Sequence, residues 1–231
     1  MNDQRSRMLI SFAISVAFWY MFSQSLELAV GMLLLVFVHE MGHFVAARLL
    51  GLRVSLPTFS PMGGAVQIQS AANVSQEAFV AMAGPLVGGL VSIALMLLAP
   101  VLASNQLMTL GYWGVVINLL NLVPLEPLDG GKISLAIDRR LWVLGVPLFL
   151  YFLYKIGLDG FNLFIGAFVL FEAWNMIQLR AQQARLAPSF FRVSPGGRAL
   201  NIVAYLALAG LLTWAALNPV SLLALSVRLG L

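Results

Sequence analysis

The sequence has no cysteine, only two histidines and few charges: Asp, Glu, Lys and Arg make up 10% of its 231 residues. The missing cysteines exclude disulfides, thiolate catalysis and cysteine zinc sites. The shortage of charge excludes an ordinary water-facing domain, which carries about 25% charged residues to cover its surface. No polar stretch is long enough to fold as a separate soluble unit, and there is no internal repeat or low-complexity tract. The expected organisation is a single membrane-embedded domain over 1–231. The net charge of +4 could suggest nucleic acid, but in a membrane chain basic residues report topology first. No nucleic-acid partner is expected; the lipid bilayer is.

What is present is apolar, at 61% of residues. A spanning helix needs about 20 mostly apolar residues. Seven apolar segments stand out: Met8–Phe22, Leu28–Leu50, Ala78–Ala103, Leu107–Val123, Leu141–Ile156, Phe161–Leu179 and Ala199–Leu217. The first and fifth are short, so the expected fold is an all-α polytopic membrane protein with six to seven transmembrane helices. With the N-terminus inside, eleven of the thirteen Lys and Arg fall at cytoplasmic ends, leaving only Lys155 and Arg228 opposite. The positive-inside rule predicts that bias. We therefore expect a multi-pass protein of a bacterial inner membrane with a cytoplasmic N-terminus. Arg5 and Arg7 before an apolar run resemble a signal peptide; we read a retained helix. Arg180–Arg198 reads as a basic loop resting on anionic headgroups.

Between Arg53 and Glu77 the chain has Pro57, Pro61 and Gly63-Gly64, then Ala65–Gln69, where Val66 and Ile68 alternate with Gln67 and Gln69. That is a short strand after a turn. Gly84-Pro85-Leu86-Val87-Gly88-Gly89 has small residues four apart, read as close helix packing. Glu172 lies in the sixth apolar segment, where ionisable groups are costly and often functional.

Both histidines lie in one pentapeptide, His39-Glu40-Met41-Gly42-His43. At about 3.6 residues per turn they share a helix face. Two imidazoles so placed can bind one zinc ion, with Glu40 in reach of a water as general base. Zinc needs a third protein ligand. In the proposed topology Glu126 and Asp129 end the fourth segment on the side nearer His39. Asn121–Gly131 is a helix broken by Pro124 and Pro127 and loosened by Gly130 and Gly131. Such backbone at membrane depth must be buried in protein or line a wet cavity.

These two motifs resemble the site-2 protease family of intramembrane zinc metalloproteases. His39-Glu40-x-x-His43 is similar to its zinc motif, and Asn121-x-x-Pro124-x-x-Pro127-Leu128-Asp129-Gly130 to its second motif. The resemblance implies one Zn²⁺ per chain on His39, His43 and Asp129, with Glu40 as base and Asn121 facing the active site to hold substrate. Gly63-Gly64-Ala65-Val66 is similar to the family's re-entrant β-hairpin, placing one near residues 54–70, with Gly64, Ala65 and Val66 pairing with an opened substrate strand. Ala83-Gly84-Pro85-Leu86 is similar to its third-helix entry. The resemblance covers roughly 28–132, the expected peptidase core. Glu126 departs from the pattern and reads as a bystander near the mouth. No PDZ or nucleotide-sensing insertion is seen.

The implied function is zinc-dependent endopeptidase cleavage of membrane-spanning or membrane-associated proteins, with a transmembrane protein as substrate. Two other classes compete. A catalytically silent helix-binding relative has no need of Glu40. A metal transporter would place its site between repeated halves, and no repeat is visible.

Overall fold

A computed structural model describes residues 2–55, 58–60, 63–65, 71–158 and 160–219. Eight α-helices are present among the described residues: α1 (Asn2–Ser23), α2 (Leu26–Leu49), α3 (Val74–Val101), α4 (Asn105–Asn121), α5 (Asp129–Ile137), α6 (Trp142–Ile156), α7 (Gly160–Leu186) and α8 (Pro195–Leu217). Each of the seven apolar segments lies in a helix of its own. Among the described residues, four helices are long and apolar enough to cross a membrane: Leu26–Leu49, Val74–Val101, Asn162–Leu186 and Pro195–Leu217. This is the make-up of a polytopic membrane protein. The remaining apolar helices are shorter; α4 has 17 residues and α6 has 15.

Local chemistry sets the helix ends. Ser25 starts α2, its Oγ accepting from the Leu28 N–H. The helix ends where Gly51 takes φ +72° and the Leu52 N–H bonds back to Ala47 O, a left-handed cap that glycine adopts freely. Asn73 and Gln76 form a reciprocal cap before α3: Asn73 Oδ1 accepts from Gln76 N–H, and Gln76 Oε1 from Ala72 N–H. These bonds satisfy N–H groups that a helix start leaves orphaned.

One short strand, β1 (Thr58–Ser60), pairs antiparallel with β2 (Gly63–Ala65), with Phe59 opposite Gly64. The expected strand over Ala65–Gln69 falls, from Val66 onward, outside the described residues.

The chain divides into two compact units. The first takes Met1–Gln69, Ala83–Leu119 and Leu208–Leu231; the second takes Ser70–Met82 and Leu120–Ala207. In the first, β1 lies beside α1 and β2 beside α2, and Leu33, Leu35, Met96 and Val115 are buried. The second has two apolar clusters, one around Val74, Ala136 and Trp142, the other around Leu125, Phe149 and Ala173. The apolar window of Asn162–Leu186 is only 11% buried. An all-round apolar, unburied helix is stable in lipid rather than water.

Candidate active site

In the first unit, α2 carries His39, Glu40 and His43, each only 7% exposed. One ligand atom from each lies within 4.8 Å of the others. The two Nε2 atoms face each other at 3.0 Å, and the rings are nearly perpendicular at 84°. This is the one-turn spacing of residues four apart, held inside a helix of membrane length.

Asn118 of α4 sets which nitrogen of His39 is available. Its Nδ2 donates to Gly114 O at 2.8 Å, which turns Oδ1 toward His39 Nδ1, also at 2.8 Å. An amide oxygen only accepts, so Nδ1 carries the proton and the Nε2 lone pair points at His43. Two ligands in a tetrahedral zinc shell stand about 3.4 Å apart, close to the observed pair. The donor set fits zinc: two converging imidazole nitrogens, one fixed by an outer hydrogen bond as metal-binding histidines usually are. Asn118→Ala should weaken zinc binding by roughly 10–100-fold, read by competition with a chelating dye; unchanged affinity would remove Asn118 from this role.

Glycines in α3 let it approach that face. A Cβ on Gly84 would lie 2.3 Å from Cε1 and Nε2 of His43 and 2.9 Å from Nε2 of His39. A Cβ on Gly42 would lie 2.4 Å from Ala83 O, and one on Gly88 2.5 Å from Asn118 Oδ1. The small-residue stripe therefore does pack helices closely, as its spacing suggests, and Gly84 also forms the surface on which both histidines rest.

The second unit holds the proline motif. Asn121 closes α4, and the chain turns through Pro124 and a cis Glu126–Pro127 bond. Asp129 is not in a loop: it is the first residue of α5, where an acidic group complements the helix dipole. It is 5% exposed, with Lys132 Nζ at 3.5 Å from its Oδ1. A Cβ on Gly130 would meet Leu122 O at 2.2 Å, and one on Gly131 would meet Glu126 N at 2.1 Å. The loop lies directly on α5. Gly131 O accepts from Trp142 Nε1 at 3.0 Å, and the Tyr205 hydroxyl donates to Leu122 O.

Glu126 is only 2% exposed and lies in no open mouth. Its carboxylate accepts from Arg180 Nη2 at 2.6 Å and Nε at 3.1 Å, a bidentate pair. Arg180 also donates to Glu77 Oε1 at 3.0 Å and Gln183 Oε1 at 2.9 Å. Buried charge persists where it is paired and hydrogen-bonded. This clamp ties the motif loop to α3 and α7. Glu172 is half-buried in α7 with no ion pair among the described residues.

Of the site residues expected from sequence, His39, Glu40 and His43 are brought together. Asn121 and Asp129 lie in the second unit, and Gly64 and Ala65 in β2. Val66 is outside the described residues. Asn118 and Arg180 were not anticipated. A polar Asn inside an apolar run was the available signal for the first; Arg180 reads in sequence as the start of a basic loop, whereas α7 continues through it to Leu186.

The sequence profile of peptidase family M50 matches residues 27–106. The chain resembles peptidase family M50. Among curated relatives, Stage IV sporulation protein FB of Bacillus subtilis is 34% identical over 108 residues, 44% of this chain and 37% of that protein. A zinc metalloprotease of Methanocaldococcus jannaschii is 30% identical over 107 residues, covering 44% and 31%. Putative zinc metalloprotease Rip3 of Mycobacterium tuberculosis is 33% identical over 117 residues, covering 47% and 30%. The matches thus span about a third of these relatives' lengths. The solved site-2 protease from Methanocaldococcus jannaschii superposes with TM-score 0.50 at 20% identity, covering 81% of this chain and 89% of that one. It shares the fold. The M50 match encloses His39-Glu40-x-x-His43 and Gly84 and stops before Asp129.

Proposed function

We propose that the chain is a zinc-dependent endopeptidase of the membrane, cutting peptide bonds in membrane-spanning or membrane-associated proteins. The observation that carries this reading is the buried His39–Glu40–His43 group on α2, a helix of membrane length. The names of the M50 relatives support it.

His39 Nε2 and His43 would hold one zinc ion, with Asp129 as third ligand. When bound, zinc supplies Lewis acidity, acidifying water and polarising a carbonyl. Glu40 takes the proton from the water whose oxygen adds to the scissile carbonyl carbon. It returns that proton to the amide nitrogen as the C–N bond breaks, leaving a carboxylic acid and an amine. Asn118 keeps His39 in one tautomer. Asn121 offers a hydrogen bond to the substrate backbone.

A spanning substrate must first open its helix, because the hydrogen-bonded backbone shields the carbonyl. We assign capture of the opened strand to a re-entrant hairpin around β1 and β2, with the pairing role that the sequence gives to Gly64, Ala65 and Val66. Val66→Pro should slow cleavage several-fold with zinc retained; full activity would end that assignment. Six to seven helices span, with the N-terminus and the mouth of the site cytoplasmic in a bacterial inner membrane, the orientation that Lys and Arg favour.

Zinc content tests the third ligand. Asp129→Ala should lose zinc, and Glu126→Ala should keep it while unfolding at lower temperature, because Arg180 then loses its bidentate partner. The reverse outcome would give the ligand role to Glu126. Cleavage of a single-pass substrate by the purified chain in detergent tests the activity itself.

A further inference from the structure

We propose that an arginine-lined cavity in the second unit is a binding site for an anionic phospholipid. This rests on the membrane reading of the chain and not on the protease reading. The cavity holds about 920 Å³ and is lined by Arg139, Arg140 and Arg198 together with Val143, Ile177 and Phe191. Its size is that of a small-molecule site.

The guanidiniums of Arg139, Arg140 and Arg198 make no ion pair or side-chain hydrogen bond among the described residues. The one carboxylate in the lining, Asp138, accepts from the Arg140 backbone N–H at 2.8 Å. Arg180 also lines the cavity, but its charge is taken by Glu126 and Glu77. Arg139, Arg140 and Arg198 are exposed and paired with no described carboxylate, so the cavity presents three guanidiniums against one lining carboxylate, a surface complementary to an anion; a phosphate matches the guanidinium fork.

The other half of the wall identifies the rest of the ligand. Val143 is 76% exposed and Leu144 beside it 60%. Ile177 belongs to the apolar stretch of α7, which is scarcely buried. These surfaces are stable where acyl chains cover them. The arginines cluster where α6 begins, near where α7 ends and where α8 begins, so headgroup charge and apolar wall meet at one level. Basic pockets at helix ends facing anionic leaflets bind acidic headgroups in this way. Free phosphate would leave the apolar wall uncovered. An acidic peptide would leave the lipid-facing side of the cavity unexplained.

The test uses the full chain in neutral detergent, titrated with dioleoyl phosphatidylglycerol or dioleoyl phosphatidylcholine. Native mass spectrometry counts retained lipid, and thermal unfolding is followed in parallel. We expect phosphatidylglycerol to be retained preferentially and to raise the unfolding temperature. Arg139→Gln/Arg140→Gln/Arg198→Gln should weaken that retention by about ten-fold or more, the scale set by three arginines near an anionic headgroup. A control with equal charge removed elsewhere, Arg5→Gln/Arg7→Gln/Arg53→Gln, should keep it. If the triple variant does not fold, Arg198→Gln alone should give a smaller loss in the same direction. Equal retention of both lipids, or equal loss in the control, would overturn the site. A full thermal shift from inorganic phosphate alone would reduce it to a phosphate site. Displacement of the lipid by a polyglutamate peptide would assign it to a protein tail.

Discussion

Glu40→Gln is expected to keep zinc and lose cleavage. Glu40 follows His39 directly, is 7% exposed and has a carboxylate oxygen within 4.8 Å of both imidazoles. The amide has nearly the same size, so the buried position stays filled. It cannot take a proton from water at neutral pH, and removing a general base costs on the order of 10²–10⁴-fold in rate. The same three-residue group admits another arrangement, with Glu40 itself as a ligand. Zinc content separates them: a base replaced by its amide leaves the metal bound, whereas a lost ligand reduces occupancy. The measurement is cleavage of a single-pass substrate together with zinc per chain, beside wild type. Retained cleavage above about a tenth of wild type would remove Glu40 as base, since that lies outside the range for general-base loss.

Much of this could be read from the residues, because membrane helices write themselves as long apolar runs. Leu28–Leu50 anticipated Leu26–Leu49 almost to the residue, and the His-Glu-x-x-His spacing already placed both imidazoles on one face. The misreadings have physical reasons. Helix α5 was hidden because Gly130-Gly131 signals a break in isolation. In the fold those glycines are needed for another purpose, admitting the backbone of Leu122–Glu126 within a distance that no side chain allows. Glu126 reads as a bystander because its partner, Arg180, is 54 residues away and itself reads as a topological charge. Asn118 lies in an apolar run three residues before Asn121, and only the second asparagine falls in the motif spacing. Pairings between distant residues are set by tertiary packing, which local pattern does not carry.

Gly84→Ala is expected to damage the metal site without touching any proposed ligand. The added methyl would lie 2.3 Å from two atoms of the His43 ring and 2.9 Å from His39 Nε2. Both distances are well inside the van der Waals contact of about 3.5 Å or more. Something must move. The His39 ring is tied to Asn118 at 2.8 Å, so it cannot swing away without giving up the bond that fixes its tautomer. Nor can the helices simply separate, since Gly42 and Ala83 already meet backbone to backbone and separation would open a void along that line. The least costly response is rotation of His43 away from His39, which parts the two Nε2 atoms. Overpacking a filled site costs about 1–3 kcal/mol. Charged to the ligand geometry, that lowers zinc affinity by roughly 5- to 150-fold. Gly210→Ala is the control, because a Cβ there meets nothing within 4 Å; it should keep wild-type zinc and activity. Zinc affinity, cleavage and thermal unfolding measured on both variants decide the matter. If Gly84→Ala binds zinc and cuts like Gly210→Ala, then α3 does not press on the histidine face as described, and the fit of the site to a metal loses its steric basis.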